Sequence, residues 1–114
     1  MNLDTLRQYC LSKSSTSEDF PFDDQTLVMR VHGKIFALIA LDASPLSVNL
    51  KCAPEKALEL REQYPCVQPG FHMNKRHWNT VLVDGSVSPR LIEAWVDHSY
   101  DLVWNGLPKR LRGG

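Results

Sequence analysis

TLVMRVHGKIFALIAL, residues 26–41, contains two strand-like runs separated by His32-Gly33. In the first run every second residue is large and apolar, which is the period of a β-strand with one buried face. The second run is almost continuously apolar, as expected of a strand in the middle of a sheet. A two-residue connection that contains glycine favours a tight hairpin, because glycine readily adopts the positive φ that such a turn needs. The segment therefore predicts a β-hairpin.

A third strand follows in LSVNLKC, residues 46–52, after the turn signal DASP. Its apolar side chains again fall at every second position and are expected to face inward: Leu46, Val48, Leu50 and Cys52. Three consecutive strands joined by short turns predict an antiparallel meander.

Helices are predicted before and after the meander. Asn2 can cap a first helix that ends near Lys13, and the polar residues that follow predict a loop. Pro54 suits the first turn of a second helix, which Pro65 stops. Ser88 and Pro89 begin a third helix, which ends at Gly106.

One further strand, TVLV at residues 80–83, precedes the third helix. The order is helix, three strands, helix, strand, helix, without the strand–helix alternation of a parallel sheet. It predicts an α+β domain, in which an antiparallel meander carries helices on one face. We assign residues 1–108 to this single domain and residues 109–114 to a flexible basic tail.

Composition and charge narrow the possible functions. The 114 residues are 43% hydrophobic, enough for one core, and no apolar run approaches the roughly 20 residues of a membrane span. Residues 1–70 carry seven basic and nine acidic side chains, net −2, whereas residues 71–114 carry six and four, net +2. A surface that faces an anion is therefore expected in the C-terminal part. Three widely spaced cysteines predict reduced thiols in a cytoplasmic protein.

The candidate site is PGFHMNKRHWNTV, residues 69–81, where cations, histidines and amides are concentrated. Lys75 and Arg76 would contact phosphates, and the neighbouring polar side chains would donate hydrogen bonds. Trp78 is expected to anchor the next strand in the core, although it could instead stack on a base. The cations that flank the His32-Gly33 turn could form a wing. The predicted nucleic-acid-binding residues are Arg30, Lys34, His72, Asn74, Lys75, Arg76 and His77.

Two other kinds of site fit these residues less well. Cys66, His72 and His77 are spaced more widely than the ligand pairs of common zinc sites. Cys66 and His72 have the residue types of a thiol–imidazole pair, but no glycine-rich turn accompanies the cysteine. Neither GxxxxGK[ST] nor GxGxxG occurs in the sequence. We therefore predict no catalytic residue, no metal site and no cofactor.

Four segments occur together in a characteristic order: SVNLKCAPEKALELRE, HMNKRHW, TVLVDGS and DHSYDLV. With this order and spacing, the chain resembles the MmcQ/YjbR family of small bacterial proteins from about Leu3 to Pro108. The resemblance implies a fold similar to that of the bacterial frataxin homologue and a double-wing arrangement proposed to bind DNA. Residues that match the family motifs are His72, Asn74, Lys75, His77, Trp78, Asp84, Gly85, Ser99 and Tyr100. Frataxins bind iron with an acidic ridge, whereas the first helix here offers little beyond Asp4.

These observations lead to two functional hypotheses. The first is a cytoplasmic, non-catalytic nucleic-acid-binding module that contacts DNA phosphates through the loop from His72 to Trp78. The zero net charge predicts modest affinity and little sequence selectivity. The second is a domain that binds a protein or a small anion, with the same loop gripping a carboxylate or phosphate. In both cases we expect a monomer or weak dimer that does not enter a membrane.

Overall fold

Helices and strands account for most of residues 1–113, which are the residues that the computed structural model describes. The elements in chain order are α1 (Leu3–Leu11), β1 (Thr16–Asp19), β2 (Thr26–Val31), β3 (Lys34–Ala40), β4 (Ser47–Lys51), α2 (Pro54–Gln63), β5 (Val67–Pro69), β6 (Trp78–Leu82), α3 (Pro89–Asn105) and a 3-10 turn (Lys109–Arg112).

The strands form one antiparallel sheet in the order β1-β2-β3-β4-β6-β5. The meander β2–β3–β4 and the α+β class are confirmed. His32 and Gly33 form the hairpin turn between β2 and β3 and both have positive φ, 46° and 80°. A β-bulge between β2 and β3 inserts Phe36, which packs edge-on against Tyr100 of α3.

The helices cover one face of the sheet and enclose the hydrophobic core. The longest helix, α3, lies mainly over the central strands β3 and β4, while α1 lies near β1 and α2 near β5 and β6. Alternate strand residues point into this core: Leu27, Met29, Val31, Ala37, Ile39, Val48, Leu50, Val67 and Val81. The opposite face of the sheet carries no helix within residues 1–113.

The predicted helix starts are confirmed. The Asn2 side chain accepts from the Thr5 N–H at 2.9 Å, and the Thr5 hydroxyl accepts from the Asn2 N–H at 3.0 Å, so a reciprocal capping box begins α1. Ser88 caps α3 by accepting from the Leu91 N–H at 3.2 Å. Pro54 and Pro89 occupy the first helical positions.

Two short edge strands were missed in the sequence. The polar residues after α1 were predicted to form only a loop, but Thr16–Asp19 pair with β2 as β1. An edge strand needs no apolar alternation, and the charged side chains of Glu18 and Asp19 are paired with Arg7 and Arg30. The Val67–Pro69 segment forms β5 at the other edge, where proline is tolerated because only one side of the strand is paired.

Strand β6 begins at Trp78, two residues before the predicted start, because Trp78 pairs with Lys51 at the end of β4. After α3, residues Lys109–Arg112 form a 3-10 turn, and Leu111 is partly buried against the core. Gly114, the last residue of the predicted tail, lies outside the described residues. None of the helices found in residues 1–113 is long and apolar enough to cross a membrane.

Candidate functional site: a groove on the open face of the sheet

A groove of about 870 Å³ runs across the face of the sheet that the helices leave open. Its floor consists of alternate residues of the three central strands: Leu38, Ala40, Ser47, Asn49, Thr80 and Leu82. Phe22, from the connection between β1 and β2, and Phe71, from the loop before β6, form part of its walls. These two side chains are 66% and 67% exposed, so the groove has an unusually apolar rim.

The two ends of the groove differ in charge. Asp23 and Asp42 lie near the row formed by Thr26, Ala40, Ser47 and Leu82. Asp23 accepts the N–H groups of Gln25 at 2.9 Å and Thr26 at 2.8 Å. These backbone hydrogen bonds lower the pKa of the Asp23 carboxyl, which therefore stays ionised at neutral pH.

The other end of the groove is occupied by Lys75 and His72. The Lys75 ammonium donates to the Gly70 carbonyl at 3.1 Å, and the Gly70 N–H donates to the Trp78 carbonyl at 2.9 Å. Lys75 is thereby held near the beginning of β6. The His72 ring lies against Phe71, with ring centroids 4.0 Å apart. The end that carries Lys75 thus faces an acidic end across a floor of mixed apolar and polar side chains.

Two polar side chains of the floor fix Phe71 in place. The Thr80 hydroxyl donates to Asn49 Oδ1 at 2.6 Å and accepts from the Phe71 N–H at 2.8 Å. The Asn49 Nδ2 donates to the Phe71 carbonyl at 3.0 Å. The N–H and the carbonyl of Phe71 are therefore both hydrogen-bonded to side chains of the sheet, which fixes the position of this wall of the groove.

The loop between Phe71 and Trp78 closes on itself. Asn74 Oδ1 accepts from the Arg76 N–H at 2.9 Å, which forms a side-chain turn, and the Asn74 carbonyl accepts from the His77 N–H at 3.2 Å. His72 adopts a φ of 59°, a value that few residues other than glycine favour. The Asn74 side chain and the His77 main chain therefore shape the loop.

Arg61 of α2 is a positioning residue that the sequence reading missed. Its guanidinium donates to Asn79 Oδ1 at 2.7 Å, to the Trp78 carbonyl at 3.2 Å and also to the Lys75 carbonyl. One planar, multiply donating side chain thus joins α2, the loop and β6. Arg61 lies four residues after the buried Ala57 and therefore on the inward side of α2. A charged residue at such a position was the sequence feature that could have indicated a structural role.

The predicted wing cations have different surroundings. Arg30 donates to Asp19 at 3.0 Å and to the Gly33 carbonyl at 3.0 Å, so its charge is largely engaged within the protein. Lys34 and Arg76 are exposed, and neither side chain has a hydrogen bond or ion pair to any residue from 1 to 113. Lys34 begins β3 and Trp78 begins β6, with β4 between them. Arg76 lies two residues before β6, so the two cations lie at the same end of the sheet.

Trp78 does not anchor its strand in the core, and that prediction is wrong. It is only partly buried and lies outside the hydrophobic core. The register of β6 explains this, because Asn79 and Val81 point toward the helices and Trp78 consequently faces the open side. The alternative, an accessible aromatic ring, remains compatible with this position.

The motif DHSYDLV on α3 attaches this helix to its neighbours. The buried Ser99 hydroxyl donates to the Phe36 carbonyl at 2.5 Å and accepts from the Lys51 N–H at 2.8 Å. His98 Nε2 accepts from the Ala53 N–H at 3.2 Å, and burial lowers its pKa. The Tyr100 hydroxyl donates to the Ser14 carbonyl at 2.6 Å. These contacts connect α3 with β3, β4 and the segment after α1.

The side chains considered for metal binding or nucleophilic chemistry are dispersed. Cys66 is 2% exposed and belongs to the core, whereas His72 lies at the surface of the groove. Over residues 1–113, no group of three or more histidine, cysteine, aspartate or glutamate side chains is arranged to hold a metal ion. All three cysteines are free and buried.

The family model named YjbR matches residues 11–102, which include most of α3 and the whole loop between Phe71 and Trp78. This chain belongs to the YjbR family. The YjbR protein of Escherichia coli K12 is 36% identical over 112 residues, covering 98% of this chain and 95% of that protein. The YbdF protein of Escherichia coli O157:H7 is 37% identical over 91 residues, covering 80% and 75%.

Solved structures of relatives have the same fold. A crystal structure of a Deinococcus radiodurans protein, described with the domain DUF419, superposes with a TM-score of 0.92 at 39% identity, covering 98% of this chain and 86% of that one. A crystal structure from Pseudomonas syringae gives 0.78 at 28% identity, covering 90% and 98%. The family resemblance inferred from the sequence motifs is confirmed.

Proposed function

We propose that this domain is a binding module whose ligand occupies the open-face groove. The observation that carries the proposal is the groove itself, about 870 Å³ with a mostly apolar lining and a few convergent polar groups. Volumes of about 300–1,000 Å³ with this mixture of groups are typical of sites for small organic molecules. This proposal corresponds to the second hypothesis from the sequence, a domain that binds a small ligand. It places the ligand on the open face of the sheet instead of at the loop from His72 to Trp78.

The exposed rim supports the same function. Phe22 and Phe71 leave most of their surface in water, although a folded chain normally gains by burying such side chains. Phe71 is also held in this position by Asn49 and Thr80. A fixed, exposed aromatic wall is suited to covering the apolar part of a ligand.

The groove can be tested with 1-anilinonaphthalene-8-sulfonate, a fluorescent aromatic anion. Ala40 lies in the floor, so Ala40→Trp should fill the groove, whereas Ala94→Trp adds the same ring to the exposed side of α3. We expect saturable binding to the wild type and to Ala94→Trp, and at least tenfold weaker binding to Ala40→Trp. Equal binding by both variants, with unchanged melting temperatures, would reject the groove as the site.

Nucleic-acid binding is the second candidate function, and the unpaired cations favour it. Lys34 and Arg76 flank one end of the sheet, and Lys51 lies between them at the end of β4, opposite Trp78. Such a row could follow a phosphate backbone while Trp78 contacts a base. Arg30 contributes less than the sequence suggested because it is paired with Asp19, whereas Lys75 keeps its charge and uses only one of its three N–H donors within the described residues.

A salt titration of labelled duplex DNA, followed by fluorescence anisotropy, tests this second function. Lys34→Gln/Arg76→Gln removes two unpaired charges from the sheet end, and Arg90→Gln/Lys109→Gln removes two exposed charges elsewhere. If the row contacts phosphates, only the first variant should reduce the slope of log affinity against log salt, by about two. Absence of binding at low salt, or equal slopes in both variants, would rule out this interface.

A further inference from the structure

The charges along the groove favour an occupant with ends of opposite charge. The carboxylates of Asp23 and Asp42 stand at one end, and the ammonium of Lys75, with the His72 ring also lining the groove, stands at the other. The Lys75 ammonium has three N–H donors, and only the hydrogen bond to the Gly70 carbonyl uses one of them within the described chain. A polyanion would be repelled at the acidic end, so a nucleic acid is a poor occupant of the groove itself.

The spacing of the two ends gives the length of the occupant. The acidic end lies at the row containing Leu82, and the basic end lies near Trp78, four residues back along β6. Strand residues advance by about 3.3 Å each, so the ends are separated by roughly 13 Å. An extended peptide of four residues spans about the same distance.

The middle of the groove suits a peptide with apolar side chains. Leu38 lies between the charged ends, in one row with Asn49 and Thr80, and Ala40 and Leu82 extend the apolar surface toward the acidic end. Phe22 and Phe71 can cover apolar side chains of the peptide from above. Gln68, an exposed residue of β5 that lines the groove, adds an amide able to bond a peptide group.

We infer that the groove binds a short apolar peptide with free termini, three or four residues long. Its ammonium group lies at Asp23 and Asp42, and its carboxylate lies at Lys75 and His72. This inference rests on the proposed binding function and specifies its ligand class. It also predicts that the groove contacts both terminal charges of the peptide. An internal segment of a longer chain has no such charges and should bind more weakly.

Competition against bound 1-anilinonaphthalene-8-sulfonate tests the inference with defined peptides. The probes are Ala-Leu-Leu-Ala with free ends, its N-acetylated form, its C-amidated form and the doubly blocked form. We expect the free peptide to displace the dye and each single block to weaken displacement about three- to fivefold, the upper range for a solvent-accessible ion pair. The doubly blocked peptide and octanoate, an apolar chain with one charge, should compete more weakly still.

Matched variants locate each end. In Asp42→Asn, acetylation of the peptide should have a smaller effect, because Asp23 alone then faces the ammonium group. Asp24→Asn changes a neighbouring acid that does not line the groove and should leave the effect of acetylation unchanged. Lys75→Gln keeps a donor for the Gly70 carbonyl but removes the charge, so amidation should then matter less. Arg76→Gln, one residue further along and outside the groove lining, should leave the effect of amidation unchanged.

The outcomes separate the two proposals. If the dye binds in the groove and the free peptide does not displace it, the peptide inference fails while the proposed binding function stands. Equal displacement by free and doubly blocked peptides, or by octanoate, also overturns the inference, because terminal charges are then not recognised. If the dye does not bind the groove at all, the proposed function fails first.

Discussion

Gly70 lies where the loop passes closest to β6, and its backbone leaves no room for a side chain. A Cβ at this position would lie 2.8 Å from both the Cβ and the carbonyl oxygen of Trp78. The contact accompanies the hydrogen bond from the Gly70 N–H to the same carbonyl. The wall of the groove thus depends on a close approach that only glycine permits.

We expect Gly70→Ala to destabilise the protein by about 1–3 kcal/mol, the usual cost of forcing an atom into a packed site. It should also weaken binding of the fluorescent anion, because Phe71 must move with the backbone. Gly106→Ala is the control, since a Cβ there meets its nearest atoms at 3.5 Å and φ is already −83°. Urea unfolding of the two variants measures the difference, and equal midpoints would contradict the close-approach argument.

At the scale of elements, α3 is attached to the sheet by polar groups as well as by its apolar face. Ser99 is fully buried and bridges β3 and β4 by bonding the Phe36 carbonyl and the Lys51 N–H. Two residues of the family motif on this helix, Ser99 and Tyr100, therefore have a structural explanation. The motif allowed the family to be recognised, but it does not identify a binding residue.

Ser99→Ala should lower the free energy of unfolding by about 1–3 kcal/mol, because it leaves the buried Phe36 carbonyl and the partly buried Lys51 N–H without this partner. Ser17→Ala, on the exposed side of β1, serves as the matched control and should change stability by less than about 0.5 kcal/mol. Chemical denaturation reports both values. A Ser99→Ala protein as stable as the control would mean that this bridge is dispensable.

For the whole molecule, His98 makes stability depend on pH. Its Nε2 must be unprotonated to accept the Ala53 N–H, and burial lowers its pKa from the ordinary value of 6.5. Below about pH 6.5 the unfolded chain therefore binds a proton that the folded chain resists. By linkage, stability falls as pH decreases from the unfolded value toward the lower folded one.

The melting temperature should fall between pH 8 and pH 5, and this fall should be smaller in His98→Gln than in the wild type. Ser17→Ala, which removes no titrating group, is expected to keep the wild-type pH dependence. An unchanged pH profile in His98→Gln would indicate that other groups cause the loss.

The sequence was informative where local patterns reflect the fold, and less so where the site depends on tertiary contacts. Alternation in β2 and β4 and the caps at Asn2 and Ser88 determined the meander and the helices. The groove escaped prediction because Ser47 and Asn49 look like ordinary solvent-facing residues of a strand. Its parts also come from residues 22–82 and meet only when the sheet forms. Lys75 was predicted to contact an anion, but its hydrogen bond to the Gly70 carbonyl was not visible in the sequence.

The two edge strands of the sheet, β1 and β5, disfavour polymerisation of the protein. Strand β1 has only four residues, two of them acidic, and β5 has three, ending in Pro69. Short strands with charges or proline are poor templates for the addition of another chain. The phenylalanines exposed on the open face of the sheet are therefore not accompanied by edge strands that could start fibril growth. We expect any self-association at high concentration to be face to face, limited to pairs and reversible on dilution.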